Sequence, residues 1–315
     1  VVITSWNSSR LISKAIKRAK KARLLTPYLY SALHAADFLY RLEHIILPAL
    51  HEGYIVIADR YAYTALARDR ARNIDREWVE AVYAMTMKPD LAIYCTASIE
   101  ESLERVMGRN SGEVPSYYES GMDVLSQVDP REAYREFQRK VASEYDRIRE
   151  EHRLVEIDTT RSIEDVHQEV AALVDDRLTL WEEETEQTMQ TISPADPSPA
   201  SGFPPLSRHG FPGRLIAIEG PDRALRARQA TFLYHELTAQ GYDARLALLD
   251  QSWVGVEVAR KAMRKTVISM PTRILLSVAE LALYHEQVIL PALRAGAVVV
   301  TDGHLASLWA RYGGG

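Results

Sequence analysis

The sequence predicts an α/β fold with parallel strands, present in two tandem and incomplete copies. Three observations carry that expectation. Short apolar runs of strand length alternate with helix-length segments. The run Ile55 to Ala58 ends in Asp59, Arg60 and Tyr61, an acid and a base at the end of a strand. The stretch ILPALHEGYIVIAD, ending at Asp59, returns as ILPALRAGAVVVTD, ending at Asp302, a separation of 302 − 59 = 243 positions. That is a domain's length, which marks a two-copy tandem and not a solenoid.

Taken in order, Val1 to Thr4 has strand composition, and Arg10 to Arg23 reads as a helix with a basic face. Thr26-Pro27 is suited to starting the helix that carries Leu33 to Leu50 and stops before Gly53, with Pro48 expected to shorten or bend it. A buried strand from Ile55, a helix from Arg76 to Met87, a buried strand Leu91 to Tyr94 and a helix Ile99 to Met107 follow. Gly108 to Pro130 is polar and turn-rich, the composition of a mobile loop. Ala133 to Glu151 reads as a charged helix, Leu154 to Asp158 as a strand and Ile163 to Leu178 as a closing helix. The Pro- and Ser-rich run up to Gly213 buries too little to fold. The expected domains are therefore 1–180 and 214–315, joined by a disordered linker over 181–213. The second opens with a strand from Arg214.

Composition narrows the function classes. The net charge is −5, from 43 acidic against 38 basic residues, and the pI is near 6.0. Bulk attraction to a nucleic-acid polymer is thus disfavoured, and a small anion gripped locally fits better. Cys95 is the only cysteine, which excludes a disulfide framework and suits a reducing compartment. Its apolar surroundings predict a core position. No apolar run in the sequence looks long enough to span a membrane, so a cytoplasmic location without membrane partners is expected.

At the strand end, Asp59 is suited to holding Mg²⁺ directly or through water, and Arg60 to gripping a phosphate with two parallel hydrogen bonds. The plainer reading is an ion pair beside a helix start. Four more residues, His34, Asp37, Arg41 and His44, form a polar helix stripe, better suited to lining a cleft than to holding a metal.

Ala35-Ala36-Asp37, Ile46 to Leu50, Gly53, the strand ending Asp59-Arg60-Tyr61, and Lys88-Pro89-Asp90-Leu91 together resemble the thymidylate kinase family of P-loop nucleoside monophosphate kinases. The resemblance implies a three-layer fold on a five-stranded parallel sheet, ATP as phosphoryl donor, Mg²⁺, and a nucleoside monophosphate acceptor, dTMP by default. It makes Asp59 and Arg60 catalytic, and Gly108 to Pro130 a lid. Arg105 and Arg109 would lie over the transferring group, although Arg105 is equally placed to pair with Glu101. His34, Phe38, Arg41, Tyr61 and Arg68 are the acceptor-binding candidates. The chain departs from the family at several of these positions. His34 and Phe38 stand where the family has an aromatic and an Arg, which suggests that stacking and hydrogen bonding have exchanged places, with helix-core packing as the alternative for Phe38. Arg68-Asp69 replaces Tyr-Gln, and Ser5 replaces an Arg.

The chain opens at Val1 in strand sequence, so the first copy is expected to lack the family's first strand and P-loop, and the stretch by itself to show little turnover. In the second copy, GPDRALRA from Gly220 to Ala227 occupies the P-loop position. Gly220 and Asp222 remain in it, but Leu225, Arg226 and Ala227 replace the Gly, Lys and hydroxyl that phosphate and Mg²⁺ need. Gly303-His304 replaces Arg60-Tyr61. The second copy is accordingly expected to be catalytically dead. The whole is expected to be a homodimer or an intramolecular pseudo-dimer. The competing class is a nucleotide-binding or scaffolding pseudokinase.

Overall fold

A computed structural model describes residues 1–109, 114–126, 128–188, 211–218, 223–248 and 269–303. The chain forms two compact units, one of Val1–Thr86 with Pro205–Gly315 and one of Met87–Pro204.

In the first unit, β1 (Val2–Ser5) and β2 (Val56–Asp59) run parallel, with Val2 opposite Val56 and Ser5 opposite Asp59. Parallel neighbours need a crossover. Here it is α1 (Ser13–Lys21), α2 (Pro27–Arg41) and α3 (Leu47–His51). Proline at the first turn starts α2, and every residue from Leu29 to Arg41 is buried. A helix apolar on most sides belongs in a core.

Pro48 does not end the helix. It has no N–H to give the preceding turn, and the chain meets this with a π-helical turn, Leu42–Ile46, before α3. Gly53, at φ 76, then turns the chain into β2, its N–H donating to the Leu50 carbonyl. After β2 come α4 (Ala62–Arg70) and α5 (Arg76–Tyr83), the latter capped by Asp75, which accepts from the Glu77 and Trp78 amides.

The same unit holds β5 (Arg214–Ala217), α9 (Arg223–Ala239), β6 (Ala244–Ala247), α10 (Met270–Tyr284), α11 (Leu290–Arg294) and β7 (Val298–Thr301). The three strands are parallel in the order β5-β7-β6. The pairing Val2 with Val56 recurs as Arg245 with Val299, and the π-helical turn recurs at His285–Ile289, each 243 positions on. The repeat is therefore one of three-dimensional structure as well as of letters.

Strand burial corrects the sequence reading. With neighbours on both sides, β7 buries Val299 and Val300 completely, whereas Ile55 and Ile57 are 44% and 53% exposed. Among the described residues β2 is hydrogen-bonded only to β1, so its apolar composition does not by itself bury it. The sequence showed no apolar run that looked long enough to span a membrane, but the continuous helical run Met270–Arg294 is able to do so by length and composition alone. Part of it is buried, Leu275, Ala279, Leu281 and Leu283 among others, and its contact with α2 is the most extensive between any two described helices.

The second unit contains β3 (Ile93–Thr96), α6 (Ile99–Arg109), α7 (Pro130–His152), β4 (Val155–Asp158) and α8 (Ile163–Thr188). β3 and β4 pair in parallel. Cys95 is exposed, not core: among the described residues its strand has a neighbour on one side only, β4. α8 continues to Thr188, into the predicted linker, whose residues 189–210 lie outside the described ones. The predicted mobile loop is built of successive turns where it is described. Ser120 is buried, Gln138 donates to the Glu119 carbonyl, and Gly121 (φ 70) packs so tightly on Phe137 that a side chain there would collide with the ring.

Candidate active site

The C-terminal ends of β1 and β2 lie together, and the Trp6 amide donates to the Asp59 carbonyl at 3.1 Å. Asp59 and Arg60 are both exposed there. Arg60 has φ 68, a left-handed backbone that an L-residue adopts at a cost of about 1–2 kcal/mol. Strain of that kind at an exposed arginine on a strand end is typical of a residue whose position matters more than its stability.

Behind this corner α2 presents one face. Phe38, 1% exposed, is packed by Tyr61 edge-on at 4.9 Å, Trp6 at 5.7 Å and Tyr83 at 5.9 Å between ring centroids. Phe38 is thus the floor of an aromatic enclosure in which the rings of Trp6 and Tyr61 are half-buried. Arg41 is fully buried against this cluster, its guanidinium 5.6 Å from the Trp6 ring and 5.3 Å from Phe38. It donates to Thr4 Oγ1 at 3.1 Å and pairs with Asp37 at 3.4 Å, while Asp37 accepts from the Ser9 amide. These bonds fasten the segment after β1 to α2. Among the described residues the Arg41 Nη2 has no hydrogen-bond partner.

His34 completes the face. Its Nε2 lies 3.1 Å from the Lys20 ammonium, and its ring stacks on Tyr30 at 4.2 Å. Burial, then the positive charges of Lys20, Arg72, Arg41 and Arg68, hold its pKa well below the usual histidine value. The ring is therefore neutral, and because an ammonium can only donate, Nε2 accepts and Nδ1 carries the proton. That Nδ1 is buried, with no hydrogen-bond partner among the described residues. An unmet buried donor costs on the order of 1–3 kcal/mol. Two such groups, on His34 and Arg41, flank the same aromatic enclosure.

The other predicted residues fall as follows. Tyr61 precedes α4 and contacts Phe38, and Arg68 is half-buried on α4, its carbonyl accepting from Arg72. His44 leaves the polar stripe. The π-helical turn carries it out to an exposed position against the Tyr40 ring. No metal-binding group of three or more His, Cys, Asp or Glu occurs among the described residues. Asp59 alone nevertheless suits Mg²⁺, which commonly takes one or two carboxylates plus water and substrate phosphates. Arg105 belongs to the second unit, where it pairs with Glu101 and donates to the Thr159 carbonyl at 2.6 Å; the Arg109 side chain lies outside the described residues. Gly220 and Asp222 also lie outside them. Arg226 is buried, its Nε donating to the Asp302 carbonyl at 2.8 Å. Trp6, Tyr83 and Lys20 were missed in the sequence. Trp6 was within reach, since the rule that singled out Asp59, ligands at strand C-termini, applies equally to the end of β1.

The thymidylate kinase family model matches residues 1–170. The chain belongs to the thymidylate kinase family. It is 38% identical over 175 residues to the probable thymidylate kinase 2 of Saccharolobus solfataricus, covering 55% of this chain and 81% of that one. It is 38% and 34% identical to the probable thymidylate kinases of Pyrococcus horikoshii and Pyrococcus abyssi, in each case over 45% of this chain and 62% of the relative, a little under two thirds. The family is one of phosphotransferase enzymes with a P-loop α/β fold, and the parallel sheets agree with it. The match favours the enzyme over the pseudokinase alternative.

Proposed function

We propose that the chain supplies the acceptor side of a dTMP kinase, the γ-phosphoryl group of ATP passing to dTMP to give dTDP in the cytoplasm. The observation that carries this is the pairing of an exposed, strained Asp59-Arg60 corner with an aromatic enclosure holding two unmet donors. The corner suits a phosphate and the enclosure a base. Arg60 would grip the acceptor phosphate, fixing the attacking oxygen; positioning and charge stabilisation are most of what phosphoryl transfer asks of a protein. Trp6 and Tyr61 would stack on the base, and the His34 Nδ1–H and Arg41 Nη2 would donate to its carbonyl oxygens. Asp59 would hold Mg²⁺, which when bound neutralises charge on the phosphates. Phe38, packed beneath, orients the rings without touching the base.

The test is ADP release by the full-length protein with each common nucleoside monophosphate. Preference for dTMP, with turnover on the order of 1 s⁻¹ or faster, is expected. Binding of dTMP without ADP release would leave the pseudokinase, and a preference for another base would overturn the acceptor assignment.

A further inference from the structure

Beyond the catalytic reading, helices α2 and α10 meet through contacts that repeat in reverse. Ser269 Oγ donates to Glu43 Oε1 at 2.6 Å, and Thr272 Oγ1 donates to Glu43 Oε2 at 3.2 Å. Thr26 Oγ1 donates to Glu286, which also accepts from the Tyr28 and Leu29 amides. The differences 269 − 26 and 286 − 43 are both 243, the repeat separation. Each glutamate therefore sits at the start of the other copy's helix, bonded to the residue at its N-cap position, Thr26 or Ser269. The helices are antiparallel, and residue i of one copy meets j of the other while j meets i. That reciprocity is the signature of a two-fold interface between like subunits, here within one chain.

Each glutamate is the second residue of a π-helical turn, with a proline two residues beyond that turn's end, Pro48 in one copy and Pro291 in the other. A carboxylate at a helix N-terminus is favoured by both the unmet amides and the dipole.

The two sides of this two-fold are not equally equipped. The positions of His34, Phe38 and Arg41 are Ser277, Leu281 and Tyr284 in the second copy, and that of Arg60 is Gly303. Where a P-loop lysine would stand, Arg226 is buried and bonded to the Asp302 backbone. The C-terminal copy has kept the residues that build the contact and not those that build the pocket.

We infer that the C-terminal copy is a built-in second subunit. Through the reciprocal Thr26–Glu286 and Ser269–Glu43 contacts it covers the outer face of α2, so that the protein is a monomer with an internal two-fold and one equipped cleft. The other occupant of that face would be a helix from a second chain.

Sedimentation of the 315-residue chain should give one species at its own mass, 35.6 kDa, independent of concentration. In a Cys95→Ser background, Thr26→Cys with Glu286→Cys should be joined within one chain by a short bifunctional thiol reagent, as should the related pair Glu43→Cys with Ser269→Cys. Cross-linked chain dimers would overturn the inference, as would failure of both pairs to cross-link in protein whose circular dichroism is native. Glu43→Gln and Glu286→Gln provide a check free of cysteines. Reciprocal contacts predict comparable losses of melting temperature for the two, and a loss confined to one of them would refute the two-fold.

Discussion

Replacing Arg60 by glycine separates strain from function. Arg60 is exposed and lies at φ 68, while its counterpart in the second copy is Gly303, at φ 152. An L-residue in the left-handed region costs about 1–2 kcal/mol. Glycine removes that cost but adds about 0.5–1 kcal/mol through its freer unfolded chain. The net change is a gain of about 0–1.5 kcal/mol, or roughly 0–6 °C in melting temperature at ~2–4 °C per kcal/mol. Arg60→Ala keeps the strained backbone and should melt close to the parent. Both variants lose a charge-assisted hydrogen bond to the acceptor phosphate, about 1.5–3 kcal/mol, which is roughly a tenfold to hundredfold fall in kcat/KM. Thermal melts and a coupled ADP-release assay on the two variants read both quantities. A glycine variant that melts several degrees below the parent would refute the strain argument. Full kcat/KM in either variant would remove Arg60 from phosphate binding.

Trp6→Ala should weaken dTMP binding by roughly tenfold, since stacking of a base on an aromatic ring contributes about 1–3 kcal/mol; a fluorescence or calorimetric titration showing unchanged affinity would leave Trp6 as packing. His34 supplies a pH prediction. Its folded pKa is depressed, by burial first and then by Lys20, so the unfolded chain binds the proton more readily, and stability is lost as pH falls below the ordinary histidine pKa of about 6.5. Denaturant unfolding between about pH 7.5 and about pH 5, across the histidine range, should show a shallower decline for His34→Gln than for the parent; parallel slopes would show that His34 protonates as easily folded as unfolded.

The α/β alternation, the repeat and the acid and base at a strand end were legible because each is a local pattern. Periodicity and composition decide element type, and the 243-residue offset needs only comparison of the chain with itself. Burial was less legible. Ile55 and Ile57 have the composition of a core strand yet are exposed, because burial depends on what lies beside a strand and not on the strand alone. Cys95 failed for the same reason. Pro48 was expected to disturb a helix, but whether a proline ends, kinks or π-widens it depends on how the next turn is packed.

The sequence by itself determined the family and the 243-residue repeat. Tertiary structure alone decided that Phe38 is buried beneath the half-buried rings of Trp6 and Tyr61, that donors of His34 and Arg41 are left unmet among the described residues, and that Glu43 and Glu286 exchange helix ends. The physical reason is range. Propensity and motif act over a few residues, whereas an unmet donor or a reciprocal cap is defined by atoms that chain folding brings together across more than 200 positions, as with Thr26 and Glu286.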